Sequence, residues 1–208
     1  METMASTTEP LRVLIPVSTG NEDIEFCALR DVLCRAELDV VVASVENLAE
    51  VVLMKGLRII PDMGLEEAAG QSWDAIAMAG GIPGAMNLAR SEMLRTLLQA
   101  HHARQGVIGA ICLSPALVLE PAGVLANSTR ATCNPLAIRT PDHSWPADEF
   151  TKLLGDKFDP DARVCVDDDN RIVTSQTPGT AIEYALAVVT MLRGPEVARG
   201  ISEYFLVR

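Results

Sequence analysis

The chain has 208 residues, 49% of them hydrophobic, enough to bury a substantial core and most simply read as one domain. Its 17 basic and 28 acidic residues leave a net charge of -11, which repels phosphate backbones and anionic bilayers and excludes nucleic acid and membrane surfaces as expected partners. The 5 cysteines are odd in number and lack C-x-x-C spacing, which argues against a disulfide framework or a zinc site and fits a reducing, cytoplasmic setting.

The opening METMASTTEP carries neither the basic start nor the apolar segment of a secretory signal, and no apolar run reaches the length of a membrane span. Residues 1–10 are expected to be a flexible tail and 11–208 a single domain. LRVLIPV, from Leu11, predicts a buried strand, and a Ser-Thr-Gly-Asn turn then leads into a helical pattern from about Glu22 to Arg35. LDVVVAS, from Leu38, is the next buried strand. VVLMKGLRIIPD reads as a small hairpin or edge excursion. DAIAMAGG (Asp74 to Gly81), GVIGAI (Gly106 to Ile111) and RIVTSQ (Arg171 to Gln176) each precede a helix-compatible segment, an alternation that predicts an α/β fold with a parallel sheet covered on both faces. His101 and His102 end one such segment and read as solvent-facing. The pattern AIEYALAVVTMLRG predicts a buried helix stopped at Gly194-Pro195. Between the last two predicted strands, residues 138–163 are rich in Pro and Asp yet hold Trp145, Phe150 and Phe158, and are expected to form a long surface excursion with a short helix.

In an open parallel sheet, ligands gather beyond the carboxyl ends of the strands, so the residues that follow each strand carry the chemistry. The stretch VIGAICLSPA places Cys112 where a strand passes into a helix begun by Ser114-Pro115, with Ser114 expected to cap free amides. Small residues on both sides, Ala110 and Ser114, suit a sharp turn that presents a nucleophile. The stretch alone fits equally a core cysteine packed as a small hydrophobe. Gly80-Gly81, after another strand, could bring backbone amides beside that of Leu113 to stabilise an oxyanion near Cys112, or form an ordinary turn.

Four stretches in order, GNEDIEF, AGGIPGAMNL, GAICLSPALVL and SQTPGTAIEYAL, resemble the protein deglycase (DJ-1/PfpI-like) family of the class I glutamine amidotransferase-like superfamily, from Leu11 to about Val207. The resemblance implies a flavodoxin-like α/β/α sandwich with a mostly parallel sheet and a cysteine nucleophile elbow. It makes Cys112 the reactive thiol, Glu25 a pocket carboxyl, Gly80 and Gly81 the loop whose amide faces the cysteine, and Pro178 a pocket wall. It also implies a homodimer, with Arg35 at the position from which family members reach toward the partner's pocket. Beside helical amides and a protonated Glu25, Cys112 is expected to be the most acidic and most oxidisable of the thiols.

Two departures bear on mechanism. Family members commonly carry histidine before the Pro of TCNPLA, whereas this chain has Asn134, which can hydrogen-bond but cannot shuttle a proton near neutral pH. The 138–163 segment is longer than the usual connection, and its His143 is a candidate replacement imidazole. The resemblance implies cysteine-dependent chemistry on methylglyoxal, glyoxal or glycated thiols and amines, without cofactor or metal. The rival reading is a redox-sensing or chaperone-like protein in which oxidised Cys112 is held by Glu25 without significant turnover. Cysteine peptidase or amidotransferase chemistry ranks last, since no Cys-His-acid set is legible.

Overall fold

In the computed structural model, residues 10–207 are described. The expected tail lies, apart from Pro10, outside them. The chain runs β1 (Arg12–Val17), α1 (Asp23–Arg35), β2 (Asp39–Ser44), β3 (Val51–Val52), β4 (Arg58–Ile59), β5 (Met63–Gly64), α2 (Leu65–Ala69), β6 (Ala75–Met78), α3 (Gly84–Arg90), α4 (Glu92–Ala103) and β7 (Val107–Ile111). After a π-helical turn at Pro115–Leu119 come β8 (Ile138–Arg139), β9 (Ser144–Trp145), α5 (Thr151–Leu154), β10 (Val164–Asp167), β11 (Ile172–Ser175), a 3-10 turn at Pro178–Thr180, α6 (Ala181–Arg193) and α7 (Pro195–Phe205).

Seven strands form the central sheet in the order β10-β11-β7-β6-β1-β2-β5. All pairings are parallel except β10 with β11. Helices α1, α6 and α7 pack together on one face, and α2, α3 and α4 cover the other. Because both faces are covered, the central strands read as unbroken apolar runs, and β6 and β7 are buried at every position. Leu14, Ile15, Ile76, Met78 and Ile108 are fully buried, each contributing roughly 1.5–3 kcal/mol of transfer free energy. The fold is the α/β arrangement that the strand and helix pattern predicts, in the flavodoxin-like form that the resemblance implies.

The ends of the elements follow local chemistry. Glu22 caps α1, its carboxylate accepting from the Glu25 amide at 2.8 Å, and Ser91 caps α4 through the Leu94 amide. Gly194, at φ 86°, closes α6, and Pro195 opens α7. VVLMKGLRIIPD does form a hairpin, β3 with β4, and its tip is tied to α1 because Asp23 accepts from the amides of Lys55 and Leu57.

Two expectations need correction here. His101 is fully buried rather than solvent-facing, with Nε2 3.0 Å from the Val107 carbonyl and Nδ1 2.9 Å from Arg104 Nη2. His102 is half-buried, and its Nδ1 is shielded from solvent. The helix expected at Ser114-Pro115 is one π-helical turn, and Ser114 does not cap it. Its hydroxyl instead donates to the Ala79 carbonyl at 2.6 Å.

Candidate active site

At the carboxyl end of β7 the chain turns sharply, and Cys112 takes a left-handed conformation with φ 65°. For a residue with a Cβ this costs on the order of 1–3 kcal/mol and persists only where the surroundings enforce it. The enforcing contacts are on both sides. The Cys112 amide donates to the Ser175 carbonyl at 3.0 Å and its carbonyl accepts from the Asn134 amide at 2.9 Å. Gly80 lies against the turn so closely that a Cβ there would stand 2.6 Å from that of Cys112 and 2.9 Å from the Leu113 amide. Gly80 is therefore a packing requirement of the elbow.

Glu25, on the first turn of α1, points inward beneath this turn and is fully buried. Its Oε2 accepts from the Gly80 amide at 2.8 Å, whereas Oε1 is buried without a partner. Burial dominates over that hydrogen bond and pushes the Glu25 carboxyl up to about 8, so it holds its proton at neutral pH. The carboxyl faces the Cys112 thiol. Of the two glycines, Gly81 directs its amide toward the sulfur, whereas the Gly80 amide is committed to Glu25. On the opposite side, Asn134 Nδ2 reaches Cys112 Sγ at 3.7 Å while its Oδ1 accepts from the Leu136 amide at 2.7 Å, which fixes the orientation of the side chain.

The expectation of an unusually acidic Cys112 is overturned. Burial, reinforced by the neighbouring Glu25, pushes its thiol well above the ordinary cysteine value, and the Gly81 and Asn134 donors offset only part of this. Cys112 is thus not the most acidic thiol. Cys27 and Cys34 are exposed on α1 and are raised too, chiefly by partial burial, while burial pushes Cys133 up to about 12.

A cavity of about 560 Å³ opens over Cys112. Gly81, Leu113, Asn134 and Pro178 line it, as do Lys55 and Met54 from the β3–β4 tip and residues 138–142 from the excursion. The excursion thus supplies a wall of the cavity rather than hanging free, anchored by buried Phe150 and Leu154. His143 stands outside that lining, exposed, with its ring tilted against that of Trp145 at 4.2 Å between centroids. Arg35 is held within its own chain. It donates to Asp31 at 2.9 Å and lies over the rings of Tyr204 and Phe205 at 4.4 and 5.1 Å.

Several site residues escape sequence reasoning. Asn21 is buried, takes the Ser18 amide on Oδ1 and donates through Nδ2 to the Gly80 carbonyl, each at 2.7 Å, so it locks the glycine loop over the cysteine. Its place in GNEDIEF was the available signal. Lys55 and Arg139 reach the cavity only through tertiary packing, and nothing local marks them. Among the described residues no group of His, Cys, Asp and Glu is placed to hold a metal ion, and no helix is long and apolar enough to cross a membrane.

A doubly covered parallel sheet with a left-handed cysteine elbow, a buried protonated carboxyl and a glycine loop defines a flavodoxin-like protein with an elbow-borne thiol. The chain belongs to the DJ-1/PfpI family, whose pattern it matches over residues 11–191. It is 37% identical to Protein DJ-1 homolog B of Arabidopsis thaliana over 94% of this chain and 41% of that protein. It thus spans less than half the length of this plant relative and 46% of DJ-1 homolog A from the same plant. With the glutathione-independent glyoxalase DJR-1.2 of Caenorhabditis elegans it shares 36% identity over 88% of this chain and 89% of the relative. Oxidized Toxoplasma gondii DJ-1 superposes with a TM-score of 0.84 at 35% identity, covering 94% of this chain and 98% of the other.

Proposed function

We propose that the protein handles small reactive carbonyls through Cys112, as a glutathione-independent glyoxalase or a deglycase of the same chemistry, and so protects against oxidative and carbonyl stress. The observation that carries this reading is the Cys112 thiol facing the buried, protonated Glu25 carboxyl at the floor of an accessible cavity. When the pair holds a single proton, Glu25 can carry it while the sulfur attacks. With methylglyoxal, sulfur adds to the aldehyde carbon and the resulting oxyanion takes a proton, giving a hemithioacetal. Glu25 then carries the proton from that carbon to the neighbouring one, which leaves a thioester of a 2-hydroxy acid. Water cleaves the thioester, so methylglyoxal and one water become lactate and the thiol is restored. Glyoxal and glycated thiols or amines fit the same site. No cofactor enters this balance.

The test is turnover of methylglyoxal, without glutathione and after treatment with chelator, by wild type and Cys112→Ala. Lactate formed by wild type and not by the variant supports the reading, and no lactate from wild type refutes it. Activity should rise as pH passes about 8, where the carboxyl–thiol pair gives up its first proton.

A second reading has its own support in Asn134, which binds the sulfur from the position where a proton-transfer imidazole is expected. In that reading Cys112 is oxidised and held by Glu25 and the Gly81 amide, and the altered protein is the signal. Mass spectrometry after graded peroxide, with turnover measured in parallel, separates the two. A cytoplasmic homodimer accompanies either reading, and exposed Ile24, Met54 and Leu57 at the start of α1 and the hairpin tip supply apolar surface for it. Sedimentation tests the dimer.

A further inference from the structure

The opposite end of the sheet carries a second concavity. The residues that immediately precede β1, β6, β7 and β11 are Leu11, Asp74, Gly106 and Arg171, and all four line one cavity of about 360 Å³ together with Arg104. Since these strands are parallel, this cavity lies beyond their amino ends, a sheet length away from Cys112.

We propose that this cavity is a second binding site, for a small oxyanion such as a phosphate or carboxylate, with Arg104 and Arg171 as its ligands. Neither arginine takes part in an ion pair among the described residues. Arg171 is half-buried, and its Nε is shielded from solvent with no hydrogen-bond partner. None of the guanidinium nitrogens of Arg171 meets a carboxylate among the described residues, and because the residue lines the cavity an oxyanion there supplies an acceptor for its terminal nitrogens. Arg104 is positioned for the same task. Its Nη2 lies 2.9 Å from His101 Nδ1 and 3.5 Å from the Trp73 carbonyl, which anchors one end of the guanidinium at the wall of the cavity that Arg104 lines.

His101 acts here as a positioning residue. Burial pushes it down to about 4, so at neutral pH its imidazole is uncharged. With Nε2–H donating to the Val107 carbonyl, Nδ1 remains an acceptor for Arg104. Gly106 admits this ring, since a Cβ there would stand 2.2 Å from it. The opposing charge in the lining is Asp74, whose Oδ2 is occupied by the Arg12 amide at 2.7 Å. Two arginines against one aspartate leave the lining net positive in an otherwise acidic protein.

The experiment is a two-dimensional amide NMR titration of the full chain with inorganic phosphate and, separately, with acetate, at ionic strength held constant with chloride. The expected result is a saturable shift of the Gln105, Gly106 and Arg171 amides, and the tighter of the two anions names the ligand class. Arg104→Gln and Arg171→Gln should each weaken binding by about tenfold or more, and Asp74→Asn should tighten it. Arg171→Lys keeps the charge but loses the fork, and serves if the glutamine variant does not fold. No saturable shift at these amides with either anion, or equal affinity in the arginine variants, overturns the proposal. Because binding is read at amides remote from Cys112, the outcome is independent of whether methylglyoxal is turned over.

Discussion

Each end of the parallel sheet buries a titratable side chain that it holds uncharged at neutral pH. At the carboxyl end, burial raises Glu25 to about 8, and at the amino end it lowers His101 to about 4. The difference is in what the neutral groups face. Both nitrogens of His101 have partners, in the Val107 carbonyl and Arg104, and the ring is locked. Glu25 has one satisfied oxygen, and the other lies unpartnered in the elbow beside a thiol. Burial alone therefore does not make a reactive site. A buried group becomes available for chemistry when the surroundings leave its second atom without a fixed partner and place a nucleophile next to it.

The largest effect should come from Cys112→Ser, which keeps the shape of the elbow while replacing the sulfur nucleophile. Methylglyoxal turnover should fall by about 10³-fold or more, because no other thiol lines the cavity. Lactate assay checks it, and residual activity above that level would move the chemistry elsewhere.

Glu25→Gln should cost about 10²- to 10⁴-fold in turnover, since the amide can still accept from Gly80 but cannot transfer a proton. The same variant should change stability. Glu25 binds its proton more tightly folded than unfolded, so its contribution is fully present below about 4.5 and is lost as pH rises toward about 8. The loss in wild type should be on the order of several kcal/mol, and the glutamine variant should flatten that slope. Urea unfolding at pH 5 and pH 9 reads the difference, and parallel pH profiles for the two proteins would refute the burial argument.

Much of this was legible in the sequence because it depends on local pattern. The runs around Leu14, Val41, Ile76 and Ile108 are apolar without alternation, which is what strands covered on both faces require. The elbow became legible only when the four stretches were read together, since VIGAICLSPA alone fits equally a cysteine packed in the core. Edge elements were not legible. β5 is 2 residues long, and the alternating burial of the antiparallel β10 is too short a pattern to separate from the excursion before it. The acidity of Cys112 and the exposure of His101 were misjudged for one reason. Neighbours in sequence suggest helical amides and solvent, but both groups lie under packed elements contributed by distant residues. Lys55 and Arg139 reached the cavity through the same tertiary route.

Asn134→His should sharpen the comparison from the active end. If proton transfer is limited by the absence of an imidazole at this position, the variant should gain at least about tenfold in methylglyoxal turnover, within the 10²- to 10⁴-fold scale of general acid–base catalysis. Peroxide oxidation of Cys112 should change little, since Glu25 and the Gly81 amide remain beside the sulfur. A neutral result with an already fast wild type would leave Glu25 as the sole proton carrier. Gain in neither protein, with wild type inactive, would favour the redox reading.

The smallest effect on turnover, and the cleanest contrast, should come from His101→Gln. The glutamine amide can donate to the Val107 carbonyl, so the variant should fold and leave methylglyoxal chemistry at Cys112 unchanged. Its stability should differ only on the acid side. A histidine lowered from 6.5 to about 4 binds its proton less tightly folded than unfolded, so the stability that goes with the neutral ring is present above about 6.5 and is lost as pH falls toward about 4. Glutamine has no proton to gain, and the variant should lose less stability than wild type between pH 7 and pH 4. Thermal unfolding across that range measures it. Equal acid sensitivity in the two proteins would mean that the buried ring is not a source of acid lability, and a fall in turnover would mean that the two ends of the sheet are coupled.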